Sequence, residues 1–278
     1  MTWNADKPAV GNQISADIAD IEENLQELHD VIEAITDGTL GTTTASDFKV
    51  KAATSPAIWL QRSKFVWKDA DEIYIYAGAY HHAGTKTQVV YWNSALTSDI
   101  GAPDASDWYY LYLDDSAIVT AGTNLLTATE FVWSNTEPAW SDAKHGWYNG
   151  SDRCIFAVLT DGSSNIVEFF HDGGEKVIHA GYITSVSGGT YNTSWLDVDF
   201  AAAMPKFSTK GEITLSSGST ALYYWRVNGQ TDTVGHIGQL GYNDIEIITD
   251  SSQLIELKTA SEVTISVLLN AWYFPAGV

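Results

Sequence analysis

The stretch Trp108-Tyr109-Tyr110-Leu111-Tyr112-Leu113 consists entirely of aromatic residues and leucine. Aromatic side chains are favoured in β-strands, and an apolar run of this length is typical of a strand rather than of a helix. Successive side chains of a strand point to opposite faces, so this strand is apolar on both faces. We therefore predict that it lies in a protein core or at a contact between subunits.

Similar short runs lie on both sides of this segment, and turns such as Asp161-Gly162 and Gly173-Gly174 separate them. Strands separated by Asp, Gly and Ser turns, without a helical stripe, are typical of antiparallel all-β domains. The pattern predicts two antiparallel domains of the β-sandwich or jelly-roll type, at residues 56–175 and 176–278. Besides 108–113, the predicted strands are 72–76, 88–92, 154–159, 166–170, 177–186, 195–199, 212–215, 222–227, 245–248, 254–258 and 263–268.

A heptad repeat lies nearer the N-terminus, at residues 14–37. Its apolar residues alternate at spacings of four and three, which is the period of a coiled-coil seam, and β-branched residues in both layers favour three strands. We therefore predict a coiled-coil stalk and a homotrimer. The alternative is an amphipathic helix that docks on the β-rich remainder of its own chain. The predicted trimer interface consists of Ile14, Ile18, Ile21, Leu25, Leu28, Ile32 and Ile35.

Two segments flank the predicted stalk. Residues 1–13 contain Trp3 and Pro8 with little periodicity, and we predict an extended docking segment that becomes ordered only against a partner. Residues 38–55 begin with small residues and are predicted to form a linker between the stalk and the β domains.

Composition excludes several classes of partner. The 278 residues carry a formal net charge of -21, so nucleic acid and anionic membranes, which require basic patches, are not expected partners. No apolar stretch approaches membrane-spanning length, and the N-terminus lacks the pattern of a signal peptide, so we expect synthesis in a cytosol. Cys154 is the single cysteine and lies in an apolar run, which predicts a small buried hydrophobic side chain.

Three segments resemble bacteriophage tail-fibre and related virion fibre proteins. They are WNADKPA at 3–9 followed by SADIADIEENL at 15–25, GWYNGSDRCI at 146–155, and TDSSQLIELK at 249–258. The resemblance implies a homotrimer that docks to the virion, through another virion protein, by its N-terminus and presents a β-structured head. It implies no particular ligand residues, because fibre heads differ in how they bind.

Aromatic residues suggest where a ligand would bind. Tryptophan faces stack on sugar rings, and a polar stretch around Trp133 and Pro138 is rich in aromatic residues and is predicted to be a loop. The alternative is that these rings fill the head or the trimer axis. The next candidates are residues 228–230 and 272–274. The predicted ligand-binding residues are Trp140, His145, Trp147 and Tyr148.

The sequence provides little sign of catalytic or metal chemistry. Asp114-Asp115, Asp197 and Asp199 could provide the carboxylate pair of a glycosidase, but turns and strand ends explain acids of this kind equally well. Asp161-Gly162 begins a segment that fits a hairpin turn better than a calcium loop. His81 and His82 would point to opposite faces of a strand and would not chelate as a unit. A metal on the trimer axis, held by scattered histidines, is the alternative to the prediction of no metal, no cofactor and no catalytic residue.

These observations together predict a non-enzymatic virion fibre that attaches to a host-surface receptor, either a glycan or a protein. The first alternative is a purely structural collar, head fibre or decoration protein. The second is a polysaccharide depolymerase.

Overall fold

A computed structural model gives the structure of the protein over residues 63–231, 235–241 and 244–275. This part of the chain is mainly β, with several antiparallel sheets and one short α-helix, so the prediction of a mainly β protein is confirmed. The predicted docking segment 1–13, coiled-coil stalk 14–37 and linker 38–55 lie outside the described residues, as do residues 56–62.

The first ten strands form two sheets and a separate hairpin. β1, β2 and β5 form a three-stranded sheet, β3 pairs with β4, and a five-stranded sheet has the order β7-β6-β10-β9-β8. These strands are β1 Phe65–Trp67, β2 Glu72–Ile75, β3 Gly78–Ala83, β4 Thr87–Trp92, β5 Leu96–Asp99, β6 Trp108–Leu113, β7 Phe131–Ser134, β8 Ala139–Ser141, β9 Gly146–Asn149 and β10 Asp152–Leu159.

Strand β6 is the aromatic stretch 108–113. It pairs with β7 on one side and β10 on the other, so both of its edges are covered. Tyr110, Leu111, Tyr112 and Leu113 are each at most 1% exposed, which shows that the predicted strand is a core strand. The neighbouring Cys154 on β10 is fully buried, and this burial raises the pKa of its thiol.

A short helix, α1 (Asp115–Ala121), directly follows β6. Asp114 is its N-cap, because its side chain accepts hydrogen bonds from the backbone N–H groups of Ser116 and Ala117. Gly122 ends the helix in the left-handed conformation at φ 67°. A 3₁₀ turn, Ala128–Glu130, then leads into β7. The sequence did not predict the helix: it attributed Asp114 to a turn or strand end, whereas the residue follows β6 directly and caps the helix.

The remaining strands form two further antiparallel sheets, with orders β11-β12-β19-β14-β17 and β13-β18-β15-β16. Buried and less buried residues alternate strictly along β14 and β18, as expected when one face of a sheet covers a core. The strands are β11 Phe169–His171, β12 Lys176–Tyr191, β13 Leu196–Asp199, β14 Lys210–Ser216, β15 Leu222–Val227, β16 His236–Gln239, β17 Asp244–Ile248, β18 Leu254–Thr259 and β19 Val263–Tyr273.

The region around residues 160–176 differs from the sequence prediction in detail. The predicted strand 166–170 is displaced to β11, because Ile166 forms only an isolated bridge with Thr160. Asp161 accepts hydrogen bonds from the backbone N–H groups of Ser163 and Asn165, which confirms the predicted turn. Since β11 pairs with β12, the proposed division of the chain at residue 176 falls at the start of the second strand of a hairpin.

Buried apolar side chains from all of these sheets form one hydrophobic cluster. At its centre, Phe65 stacks on Phe156 with ring centroids 4.1 Å apart, and Phe207 and Trp272 meet edge to face at 5.7 Å. Trp272 and Phe274, which lie in one of the segments suggested for ligand contact, are 1% and 5% exposed and so are core residues. We call the following rings the aromatic core: Phe65, Phe156, Phe207, Trp272 and Phe274.

Candidate functional site

The stretch that the sequence suggested as a ligand-binding loop is a β-hairpin, which we call the aromatic hairpin. It consists of β8, β9 and the connecting residues 142–145. β8 is the edge strand of the five-stranded sheet. His145, the last residue before β9, is exposed and has φ 50°, a left-handed conformation suited to the tight connection. The prediction of a loop is therefore wrong for Trp140, Trp147 and Tyr148, which lie within strands, and is right only for His145.

Trp140 and Trp147 form the exposed aromatic surface of this hairpin. They are directly opposite each other in the strand register, and their rings meet edge to face with centroids 5.9 Å apart. The Trp140 side chain is 43% exposed, whereas Trp147 is half-buried. Trp140 Nε1 donates a hydrogen bond of 2.7 Å to Asp142 Oδ1, which fixes the plane of the indole. The hairpin thus presents an oriented, accessible tryptophan face beside a carboxylate.

Trp147 connects this surface to the interior. Its ring lies 6.2 Å from that of Phe207, a member of the aromatic core. Its Nε1 is buried and has no hydrogen-bond partner among the described residues. An edge-to-face neighbour on one side and a core ring on the other leave Trp147 little room to rotate, so it supports Trp140.

Tyr148 faces the other way, because adjacent residues of a strand point to opposite faces. It is 4% exposed, and its hydroxyl accepts hydrogen bonds from Ala83 N at 3.0 Å and from Arg153 Nη1 at 3.3 Å. The structure therefore brings Trp140, Trp147 and His145 together at the hairpin, but it places Tyr148 beneath them as an anchor.

Arg153 on β10 is the second anchor of the hairpin. It is only 7% exposed, pairs with Tyr148 in the strand register, and donates from Nη1 to the backbone oxygen of His81. Its guanidinium also lies over the rings of Tyr80 and Tyr148, at 6.0 and 5.7 Å from their centroids. A buried cation with several partners fixes the geometry of the groups around it, so β9 is held against the β3–β4 hairpin.

A histidine–carboxylate pair extends this network. His82 is fully buried, as predicted lies on a strand with His81, and its Nε2 is 3.0 Å from Asp115 Oδ1. Burial lowers the pKa of His82, so the neutral ring donates to the carboxylate. Although burial alone would raise the pKa of Asp115, hydrogen bonds from Thr85 and His82 hold it below its usual value. Asp115 N donates to Asp152 Oδ1, so both members of the Asp114-Asp115 pair have structural partners.

The other residues singled out in the sequence lie away from the hairpin or serve the fold. Trp133 is half-buried and donates from Nε1 to Ser98 Oγ at 2.9 Å. Asp197 and Asp199 lie on β13, and Asp199 accepts from Ala201 N in the turn that follows. Neither the tryptophan nor the acids of β13 contribute to the surface around Trp140.

The sequence did not predict one cluster of three acidic residues. Oxygens of Asp69, Asp71 and Glu72 converge at the turn between β1 and β2. A hydrogen bond with Asp69 raises the pKa of Asp71, and Lys68 donates to Glu72. The lysine thus partly neutralises the cluster, and the carboxylates also cap the turn, since Asp69 accepts from Glu72 N.

Sequence reasoning missed three residues that shape the candidate site: Asp142, Arg153 and Phe207. Asp142 lies two residues after Trp140, but this spacing does not predict a contact unless the turn after β8 is known. Arg153 does have a signal, because a lone cation beside the apolar run 154–159 has to be buried with partners. Phe207 could not be found, since it comes from the distant connection between β13 and β14.

Comparison with known proteins identifies no similar protein. The chain matches none of the protein-family models, curated proteins or solved structures with which it was compared. Within the described ranges, no helix has the length and apolarity needed to span a membrane.

Proposed function

We propose that the protein is a homotrimeric virion fibre whose β-structured head attaches to a glycan on the host-cell surface. The observation that carries the attachment role is the exposed, hydrogen-bonded Trp140 at the open edge of the five-stranded sheet. The virion part of the proposal rests on the resemblance of segments 3–9, 15–25, 146–155 and 249–258 to fibre proteins.

In this proposal the chain has three functional parts. Residues 1–13, with Trp3 and Pro8, dock to another virion protein, and the seam of 14–37 assembles three chains into a stalk. The β domains, taken as sandwiches, form the head. The strict alternation along β14 and β18 supports sandwich packing, because each strand has one face for a core and one for solvent.

The aromatic hairpin has the properties that sugar binding requires. A sugar ring presents C–H groups on one face, and these are attracted to the electron-rich face of an indole. Trp140 is held by Asp142 and by Trp147, so little side-chain entropy is lost when a ligand binds. Its place on an edge strand leaves room for a polymer to pass.

The attachment role is tested by the variant Trp140→Ala. We expect the purified variant to fold like the native protein. It should bind host cells and their isolated surface polysaccharide much more weakly. Tyr182→Ala is the matched control, because Tyr182 is also an exposed aromatic residue, at 61%, but lies on β12. Native-level binding by Trp140→Ala would overturn the attachment role of the hairpin.

The stalk is tested separately by the double variant Ile21→Asn and Leu28→Asn. Both substitutions place polar groups in the predicted desolvated seam, so the trimer should dissociate or loosen. Light scattering measures the mass, and circular dichroism measures the helix signal. If neither changes, the helix is docked on its own chain and the coiled-coil proposal is wrong.

A further inference from the structure

We propose that the ligand of the aromatic hairpin is an uncharged glycan rather than an acidic one. This inference rests on the proposed function and names the substrate class of the same site. Three observations carry it: the acid that is hydrogen-bonded to Trp140, the contacts of the nearby cations, and the charge of the whole chain.

One acid lies directly at the accessible ring. Asp142 is exposed and touches the Trp140 indole through its 2.7 Å hydrogen bond. Glu137, just before β8, is also exposed. A sugar stacked on Trp140 therefore lies beside negative charge, which repels a uronate or sialate carboxylate and leaves an uncharged ring unaffected.

Asp142 also offers what an uncharged sugar needs. Its Oδ1 accepts the hydrogen bond from Trp140, while its Oδ2 accepts no hydrogen bond from a described residue. A carboxylate oxygen only accepts hydrogen bonds, and sugar hydroxyl groups donate them readily. An indole face with a carboxylate acceptor at its edge can thus bind both the C–H face and the hydroxyl rim of a neutral pyranose.

The cationic side chains near the hairpin already contact other groups of the protein. Lys144 Nζ donates to Gly150 O at 2.7 Å and lies 4.7 Å from the centroid of the Tyr148 ring. Lys206 Nζ lies 3.9 Å from Glu137, and Arg153 is buried beneath the hairpin. Using Lys144 or Lys206 for a ligand carboxylate would break the contact that each already makes, and Arg153 is buried away from a ligand.

The net charge of the chain acts in the same direction over longer distances. At -21 for each chain, the protein repels polyanions, and the repulsion would grow threefold in the proposed trimer. Approach of a neutral polymer carries no such cost. Its binding should consequently depend little on ionic strength.

The experiment measures binding of the native full-length protein to immobilised polysaccharides. Neutral glucans, galactans and mannans are compared with alginate, polygalacturonate and polysialic acid, at low and high sodium chloride. We expect binding to a neutral polymer that is unchanged by salt, and none to the acidic polymers. Binding to an acidic polymer that weakens with salt would overturn the inference while leaving the attachment role intact. Binding to host cells but to no glycan would overturn the inference together with the glycan part of the proposed function.

Two variants locate the effect at the hairpin. Asp142→Asn and Asp142→Lys should each weaken binding to the neutral polymer by about tenfold, because a charged hydrogen-bond acceptor is lost. Glu262→Lys is the control: it changes the net charge by the same amount as Asp142→Lys, at an exposed position before β19. If Asp142→Lys binds the neutral polymer as well as Glu262→Lys does, Asp142 is not part of the ligand site and the inference fails.

Discussion

The aromatic core and the aromatic hairpin consist of the same kinds of residue but differ in how far these residues are exposed. In the core, Phe156 and Trp272 are at most 1% exposed, whereas Trp140 in the hairpin is 43% exposed. Both groups consist of rings in stacked or edge-to-face contact, and they are continuous, because Trp147 of the hairpin touches Phe207 of the core. Ring chemistry therefore does not distinguish them.

The difference between the two groups follows from the position of their strands and from what packs over their rings. Phe156 lies on β10 and Trp272 on β19, and both strands have a neighbour on each side. Trp140 lies on β8, a three-residue strand at the edge of its sheet. A ring on an edge strand stays accessible where nothing packs over it, as at Trp140, whereas Phe65 on the edge strand β1 is covered by Phe156 and is fully buried. The exposure of an aromatic residue therefore depends on the place of its strand in the sheet and on what packs over its ring.

The largest effect should come from truncating the core with Phe156→Ala. This ring stacks on Phe65 at 4.1 Å and on Phe274 at 5.8 Å, and its removal leaves a cavity. We expect the free energy of unfolding to fall by about 3–5 kcal/mol, measured by urea denaturation. Phe170→Ala, at a ring that is 61% exposed, is the control and should cost far less. If the two variants lose the same free energy of unfolding, burial does not determine how much a ring contributes to stability.

A pH-dependent effect of similar size should come from His179, a buried polar residue on β12. Neither of its ring nitrogens has a partner among the described residues, and burial lowers its pKa from 6.5 to about 4. Between these values the unfolded chain binds the proton more tightly, so acid favours unfolding. The free energy of unfolding should therefore decrease as pH falls from 6.5 to 4, with a contribution of about 3 kcal/mol.

The variant His179→Leu isolates that contribution from the other titrating groups. Urea denaturation of both proteins at several pH values between 7.5 and 4 should show a smaller decrease for the variant. Parallel curves for the two proteins would show that His179 does not resist protonation in the folded state.

A smaller effect should come from Arg153→Ala, which removes the anchor between core and hairpin. The change takes away a charged donor to Tyr148 and to the backbone of His81, so we expect a loss of about 2–3 kcal/mol. Hydrogen exchange should also speed up in residues 139–149. Lys210→Ala is the control, because its ion pair with Glu246 is largely exposed. Exchange that is unchanged at the hairpin would show that β9 is held by other contacts.

The smallest effect on stability should come from Trp140→Ala. Trp140 is partly exposed and loses only its contacts with Asp142 and Trp147, so we expect a change of about 1 kcal/mol in the same denaturation experiment. A loss of several kcal/mol would make Trp140 a packing residue and would remove the distinction between hairpin and core.

Much of the strand pattern could be predicted from the sequence, because period-two alternation and short aromatic runs are local signals. Strands near 108–113, 222–227 and 254–258 lie where the sequence placed them. Shorter strands such as β1 and β8 were missed, since three residues carry too little pattern to recognise. Helix α1 was missed for the same reason, at seven residues.

The candidate site was only partly predictable. A stretch rich in tryptophan within polar surroundings predicted that some of its four candidate residues are exposed, and Trp140 and His145 are. It could not separate Trp140 from Tyr148, because exposure depends on which face of the hairpin meets the sheet. The face of Tyr148 is set by its hydroxyl, which accepts hydrogen bonds from Arg153 and from the backbone of Ala83. Arg153 is buried, and Ala83 lies far from β9 in the sequence.

The sequence by itself determined the mainly β class, the acidity of the chain, the burial of Cys154 and the turn at Asp161. Each of these follows from composition or from neighbours within a few residues. Tertiary structure alone decided that Trp272 lies in the core, that Trp140 stays at an edge, and that Asp142 fixes the exposed indole. The physical reason is that burial depends on which strands are neighbours, and strand order in a sheet is set by contacts between residues far apart in the chain.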